Sequence, residues 1–295
     1  MRLSNLIYQK KLVIAFLISL IIQIILIIGF FCFDWISQIS QDSLLNDFLR
    51  FSLEPYQDYQ IWYKSFVENL FNHNWVPYTY YFPDIEGYSN WFSYLMALFV
   101  GLRQYYYIYP PFFLYILVLP GLIDINLIFI PLIVSTNLLP FMLYKFLKVQ
   151  CNVKVAEWGF LATTLCPLLI FYNGGLLLNT SIVSLFFVIT LYLVSIKKFK
   201  SACVLLSISF LFKQIVIFFI LPMVVFMVLQ SSINKEGKFA KLYLKNLLIY
   251  SSIIIGTIFV GSLPWIVINP GGYIDSIFVR QGFTFIPDFQ IPHHN

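Results

Sequence analysis

Charge is what this sequence has least of. Asp, Glu, Lys and Arg make up only 11% of its 295 residues, against about 25% in a soluble domain. That shortage, with 60% hydrophobic side chains, excludes a water-soluble globular fold and intrinsic disorder. Histidine is rarer still: His73, His293 and His294 are the three, and no second ligand set at metal spacing accompanies them. Four cysteines, Cys32, Cys151, Cys166 and Cys203, include no CxxC pair. They read as small apolar fillers, and support neither a disulfide framework nor a metal site. No internal repeat, low-complexity tract or soluble domain is found along the chain.

In place of charge there are aromatics, 20% of the residues, and long apolar runs. A helix needs about 20 apolar residues to cross the roughly 30 Å hydrocarbon layer. The first run, Leu12 to Phe33, follows Arg2, Lys10 and Lys11. It is too long for the apolar part of a signal peptide and lacks a small-x-small cleavage site, so it is expected to be an uncleaved first span. Six further runs cover residues 125–147, 156–171, 176–196, 201–212, 214–229 and 246–268. The expected fold is an all-α polytopic membrane protein of about seven transmembrane helices, with residues 34–124 as a large first outer loop and 269–295 as an outer tail.

Orientation follows from where Lys and Arg fall. With the N-terminus in the cytoplasm, the inner segments hold 13 of the 18 basic residues, among them Lys145, Lys148, Lys154, Lys197, Lys198, Lys200, Lys241 and Lys245. This balance requires residues 201–229 to form a tight hairpin whose tip, at Lys213 and Gln214, points outward. The net charge of +5 therefore reflects topology, and nucleic acid is not an expected partner.

Most acids lie on the other side. Eight acidic residues precede Arg103 in the 34–124 loop. Within it Tyr59, Trp62, Tyr63, Phe66, Val67, Leu70 and Phe71 recur at helical spacing, an amphipathic helix with its aromatics on lipid or on the bundle. Asp58 stands at the start of that helix, either as an N-cap or as a general base on an acceptor hydroxyl. Asp84 and Glu86 follow the aromatic run Tyr78 to Phe82 and, taken singly, read as solvated loop carboxylates. Two apolar stretches, Trp91 to Leu102 and Ile108 to Ile123, are short for crossings and rich in Tyr, Trp and Pro. They are expected to lie on the outer membrane surface, the alternative being an extra hairpin.

Lys213 is the most informative charge in the apolar region, because an ammonium at the bilayer centre costs about 2.5–3.5 kcal/mol on insertion scales. At a hairpin tip most of that penalty vanishes. The lysine there is either a snorkelling side chain or a contact for a lipid phosphate at the outer interface. Asn173, Gly174, Gly175 and Asn179 read as a tight polar outer turn. The Asn179-Thr180-Ser181 sequon adjoins a span, which argues against modification.

Several of these pieces, in this order, resemble the GT-C superfamily of polyprenyl-phosphate-sugar-dependent glycosyltransferases, the class of protein mannosyltransferases and dolichyl-phosphate-mannose enzymes. They are the basic N-terminus and first span, Asp58-Tyr59 with Trp62, then Trp75-Val76-Pro77-Tyr78, then Tyr109-Pro110-Pro111-Phe112, which is similar to the family's (Y/H)PPL element. Leu211-Phe212-Lys213-Gln214 followed by Leu221-Pro222 is similar to its K-Q and L-P hairpin. The resemblance covers about 265 residues and favours keeping Pro110 and Pro111 outside. It implies transfer of a sugar from a lipid-phosphate donor to a glycan, lipid or protein acceptor at the outer face of the cell membrane, with inversion. Asp58 matches the loop aspartate expected to activate the acceptor, and Lys213, with Arg103, is expected at the donor phosphate. Gln214, Asp84, Glu86, Tyr109 and Asn179 complete the candidate substrate-binding set. No cofactor is implied beyond the donor itself, and a divalent metal has no support in the sequence.

Two departures bear on this. Relatives carry a G-Q-x-D-like element in the outer turn where this chain has Gly174-Gly175-Leu176 and then Asn179. Many also continue into further spans or a soluble domain, so the usual C-terminal module is expected to be missing, as in a minimal enzyme, a truncated product or one half of a pair. Two alternatives stay open: a flippase or transporter of lipid-linked sugars, and a non-catalytic GT-C-like membrane subunit.

Overall fold

The computed structural model describes residues 2–39, 63, 64, 67, 70, 71, 110–175, 177–232, 239–268 and 270–274. Asp58, Asp84, Glu86, Arg103 and Tyr109, the stretch from Trp91 to Leu102, and the tail from residue 275 on lie outside the described residues.

All regular structure among the described residues is helical. Helix α1 covers Arg2–Ile39, and α2 covers Pro111–Gly121 with Pro111 in its first turn, where the missing N–H is not needed. A 3-10 turn, Ile125–Phe129, starts at Asp124, whose carboxylate accepts from the Asn126 backbone N–H at 2.8 Å, and leads into α3, Ile130–Gln150. Asn152 caps α4, Val153–Thr164, through the Val155 N–H at 2.9 Å. Then come a π-helical segment, Leu169–Gly175, and α5, Thr180–Ser195. Helix α6 is Phe199–Phe212; after a 3-10 turn at Gln214–Val216 follow α7, Ile217–Ser232, α8, Phe239–Ile268, and the short α9, Pro270–Ile274.

Four stretches are long and apolar enough to cross a membrane: Lys10–Gly29, Ile125–Gln150, Gln214–Ser232 and Lys241–Ile268. Helix α4 with the π segment makes a fifth if the pair, bent by 59°, is one broken span. The bend has a local cause. Pro167 cannot donate to the preceding turn and pushes Cys166 out of the helical region, so α4 stops at Thr164 and the chain restarts beyond the proline. The run expected as one span over 156–171 is therefore two limbs. At about 1.5 Å per residue, α5 and α6 reach only about 24 and 21 Å, short of a full hydrocarbon layer.

Large apolar side chains face outward along these helices, Ile14, Ile18, Ile21, Ile25 and Ile28 on α1 and Ile255, Phe259 and Val267 on α8 among them. In water such a surface would aggregate; in lipid it is the solvated face. The chain is a multi-pass membrane protein. Its interior uses small polar groups as interhelical contacts: the Ser135 and Ser181 hydroxyls pair at 3.0 Å, Ser207 donates to the Ile254 carbonyl at 3.3 Å, and Asn246 donates to Ser231 at 2.9 Å.

Those contacts fix the direction of each helix. Phe16 meets Phe141 and Gln23 meets Asn137, so α1 and α3 are antiparallel. Phe160 meets Phe141, turning α4 back along α3. Helices α3 and α5 pack on each other with Ser135 and Ser181, each near the start of its helix, in contact, so the two run parallel. Phe199 meets Tyr250 and Ser207 meets Ile254, so α6 runs with α8, whereas Ser231 meets Asn246, so α7 runs against it. Helices α6 and α7 thus form the expected hairpin, its tip at Lys213. Lys10, Lys11, Lys145, Lys148, Lys154, Lys197, Lys198, Lys200, Lys241 and Lys245 collect at the opposite end of the bundle.

One face of α2 is sealed against that bundle. Phe113, Leu114 and Leu117 are buried, α2 packs on α6 and α8, and Tyr63 meets Phe113 edge-on with ring centroids 4.8 Å apart. Tyr63 and Val67 are both fully buried. The apolar stripe of the 59–71 segment therefore faces the bundle at these two residues, settling the choice left open between bundle and lipid there. Of the cysteines, Cys203 is buried as expected of a filler, but Cys151 is exposed.

Candidate functional site

The end of the bundle opposite the basic belt carries the polar residues that the apolar runs interrupt. Between α6 and α7 the backbone opens at Lys213, with φ −157 and ψ 127. This extended residue ends one helix and starts the next 3-10 turn, leaving Gln214 buried and Lys213 half-buried. Phe212 stands just before it. Its ring packs on Phe186 of α5 at 4.9 Å and on Phe112 of α2 at 6.0 Å, which draws the Pro110-Pro111-Phe112 segment to the hairpin tip. Close approach of α8 at this level depends on Gly261, where a Cβ would stand 2.5 Å from Leu211 Cδ1 and 2.6 Å from Phe112 Cε2.

Asn179 meets the tip from the other side. The tight polar turn expected over Asn173 to Asn179 is buried: Asn173, Gly174 and Gly175 lie in the π-helical segment, and Asn179 is only 4% exposed. This burial has a packing cause, because Gly174 lets α1 approach until Gln23 fills the space a Cβ would occupy. Leu177, buried and left-handed at φ 61, then turns the chain so that the Leu178 N–H reaches the Tyr172 carbonyl at 3.2 Å. Such a conformation in a non-glycine residue costs on the order of 1 kcal/mol or more and persists where packing imposes it.

Asn179 occupies the cap position of α5 without a side-chain capping bond. Instead its Oδ1 accepts from Lys213 Nζ at 3.5 Å, a long and weak bond. The ammonium selects this amide orientation, since a flipped Asn179 would aim its NH₂ at a cation. The buried Nδ2 is then left without a partner among the described residues. A half-buried ammonium and an unused amide donor, side by side in an aromatic wall, make a place for an anionic or hydroxyl oxygen.

No protein-family model, curated protein or solved structure matches this chain. The likeness to the GT-C superfamily accordingly rests on the residues and their order alone.

Of the eight candidate site residues, the fold brings Lys213, Gln214 and Asn179 to one end; Asp58, Arg103, Asp84, Glu86 and Tyr109 lie outside the described residues. No three His, Cys, Asp or Glu side chains converge on a metal-sized point among the described residues. Phe186 was missed from the sequence, being indistinguishable there from lipid-facing aromatics, and Phe112 and Phe212 were named only within their motifs. A further polar patch lies at the same end: Ser262 and Tyr273 share a short hydrogen bond, and Tyr115 donates to the Gly261 carbonyl at 3.3 Å. Burial pushes the Tyr273 phenol up from its ordinary value, the Ser262 bond opposing this and Tyr115 adding to it.

Proposed function

We propose that this protein is a membrane glycosyltransferase of the GT-C type, moving mannose or another hexose from a polyprenyl-phosphate donor to an acceptor at the extracytoplasmic face. The observation that carries the proposal is the meeting of Lys213 with Asn179 in an aromatic wall at the bundle end remote from the basic belt. In this scheme all seven apolar segments cross or enter the plasma membrane, the lysine-rich end is cytoplasmic, and the hairpin tip lies at the outer interface, where a lipid phosphate resides.

The acceptor oxygen attacks the anomeric carbon while the bond from that carbon to the phosphate oxygen breaks, its electron pair leaving with the phosphate. Negative charge grows there in the transition state, so the Lys213 ammonium contributes most at that moment. The Asn179 Nδ2 and Gln214 amides orient phosphate or sugar oxygens, and Arg103 adds charge. Asp58 takes the acceptor proton. Asp84, Glu86 and Tyr109 supply contacts from the outer loop.

The test is transfer of labelled sugar from polyprenyl-phosphate donors in membranes. Asp58→Asn abolishes transfer with donor binding retained, and Lys213→Ala lowers the rate by about 10²–10³. Transfer unchanged by both substitutions, or none from any donor with the wild type, overturns the proposal. A second reading, movement of a lipid-linked sugar across the membrane, is favoured by the broken span formed by α4 and the π segment. It predicts translocation of labelled lipid-sugar without product.

A further inference from the structure

Gln23 and Asn137 are amides halfway along two apolar helices, where nothing in a lipid-facing role calls for them. Both are turned inward. Asn137 Nδ2 donates to Gln23 Oε1 at 2.9 Å and to the Ile133 carbonyl at 2.9 Å, while Gln23 Nε2 donates to Ser19 Oγ at 3.1 Å. Beside this pair Thr136 donates to the Leu132 carbonyl at 2.9 Å, its oxygen 3.4 Å from the Asn173 carbonyl. Ser19, Gln23, Thr136, Asn137 and Thr164 line one small cavity at the bend between α4 and the π segment.

Thr164 does not fit a closed network. It is 3% exposed, and its Oγ1 has no hydrogen-bond partner among the described residues, although Thr163 next to it bonds the Gly159 carbonyl at 2.8 Å as helical threonines commonly do. A hydroxyl buried without a partner is destabilising, and the usual resolution is an ordered water. The space is about that of one water, which needs two to four polar partners. Four other polar side chains are there to supply them.

We infer that this cavity is a binding site for a single water molecule inside the membrane domain, completing the hydrogen bonding of Thr164 and joining α1 and α3 to the bend. The lining decides the class of guest. Among the described residues it offers hydroxyls and amides and no carboxylate, and a cation without a countercharge would carry an uncompensated desolvation penalty. The space suits a water-sized guest better than a sugar or lipid headgroup. A water is neutral, donates twice and accepts twice. Placed at the break it substitutes for helix hydrogen bonds that Pro167 removes nearby, as non-helical backbone in membranes requires.

The experiment has two arms. Thermal unfolding in lipid nanodiscs compares the wild type with Thr164→Val, which keeps the side-chain shape and removes the hydroxyl, and with Thr164→Ser, which keeps the hydroxyl. With a water bound, Thr164→Val loses a bridging partner and Tm falls by about 2–4 °C, while Thr164→Ser stays nearer the wild type. In a dry cavity the same valine removes an unsatisfied group, so an unchanged or higher Tm overturns the inference. A wild-type Tm raised selectively by NaCl over choline chloride identifies a cation instead and also overturns it. The second arm needs no variant. Electron density in crystals of the wild type shows one peak within hydrogen-bond distance of Thr164 Oγ1, and an empty cavity refutes the site.

Discussion

Replacing Gly174 by alanine tests how the candidate site is held in place. The new Cβ would stand 2.5 Å from Gln23 Cγ and 2.6 Å from Cδ, far inside van der Waals contact. Gln23 has no cheap escape: it is 3% exposed and bonded to Asn137 at 2.9 Å and Ser19 at 3.1 Å. Overpacking of this kind costs about 1–3 kcal/mol. Losing the amide pair adds about 0.6 kcal/mol per interhelical hydrogen bond, the average measured inside membranes. A total of about 2–4 kcal/mol corresponds to a fall in Tm of roughly 4–12 °C at about 2–3 °C per kcal/mol. Unfolding in nanodiscs measures it, in a double-mutant cycle with Gln23→Ala. The shorter side chain makes room for the new methyl, so the double mutant is less destabilised than the two single costs added together. Wild-type stability of Gly174→Ala, or strictly additive costs, refutes the account.

Gly261→Ala forces α8 away from Leu211 and Phe112 and is expected to lower Tm by several degrees and, on the glycosyltransferase proposal, to weaken transfer; unchanged values for both contradict the close approach. Tyr273→Phe removes the Ser262 hydrogen bond and costs about 1 kcal/mol, read in the same unfolding assay. The raised folded-state value of that phenol also has a sign: it leaves stability intact below the unfolded value near pH 10 and erodes it as pH rises from there through the folded value. Tyr273→Phe flattens that alkaline decline, and an identical decline in both proteins rejects it. Cys151 is exposed at the lysine-rich end, so a membrane-impermeant maleimide labels it in inverted vesicles but not in intact cells, with Cys151→Ser as control. Labelling from outside reverses the proposed orientation.

Much of the architecture was legible because membrane helices announce themselves by composition. Four of the seven apolar runs are helices long enough to cross a membrane and a fifth is a bent pair, and the hairpin tip at Lys213 was readable from the placement of lysines. The bend at Pro167 was open to reading too, since proline acts through local backbone chemistry. That the turn at Asn173 to Asn179 is buried was not legible, because glycine and asparagine favour turns and equally permit close helix approach. Only the neighbour, here Gln23, decides between the two.

The same division runs through the candidate site. Apolar run length and the sidedness of charge are properties of the chain itself, set by transfer free energies that act residue by residue, and they determined that this protein is helical and belongs in a membrane. Which polar side chains meet is another matter. Asn179 reaches Lys213 across 34 residues of sequence, and Gln23 reaches Asn137 across 114. Hydrogen bonds are short-ranged and directional, so such pairings exist only once helices α1, α3, α5 and α6 have packed. Tertiary structure alone decided them, and with them the polar cavity at Thr164.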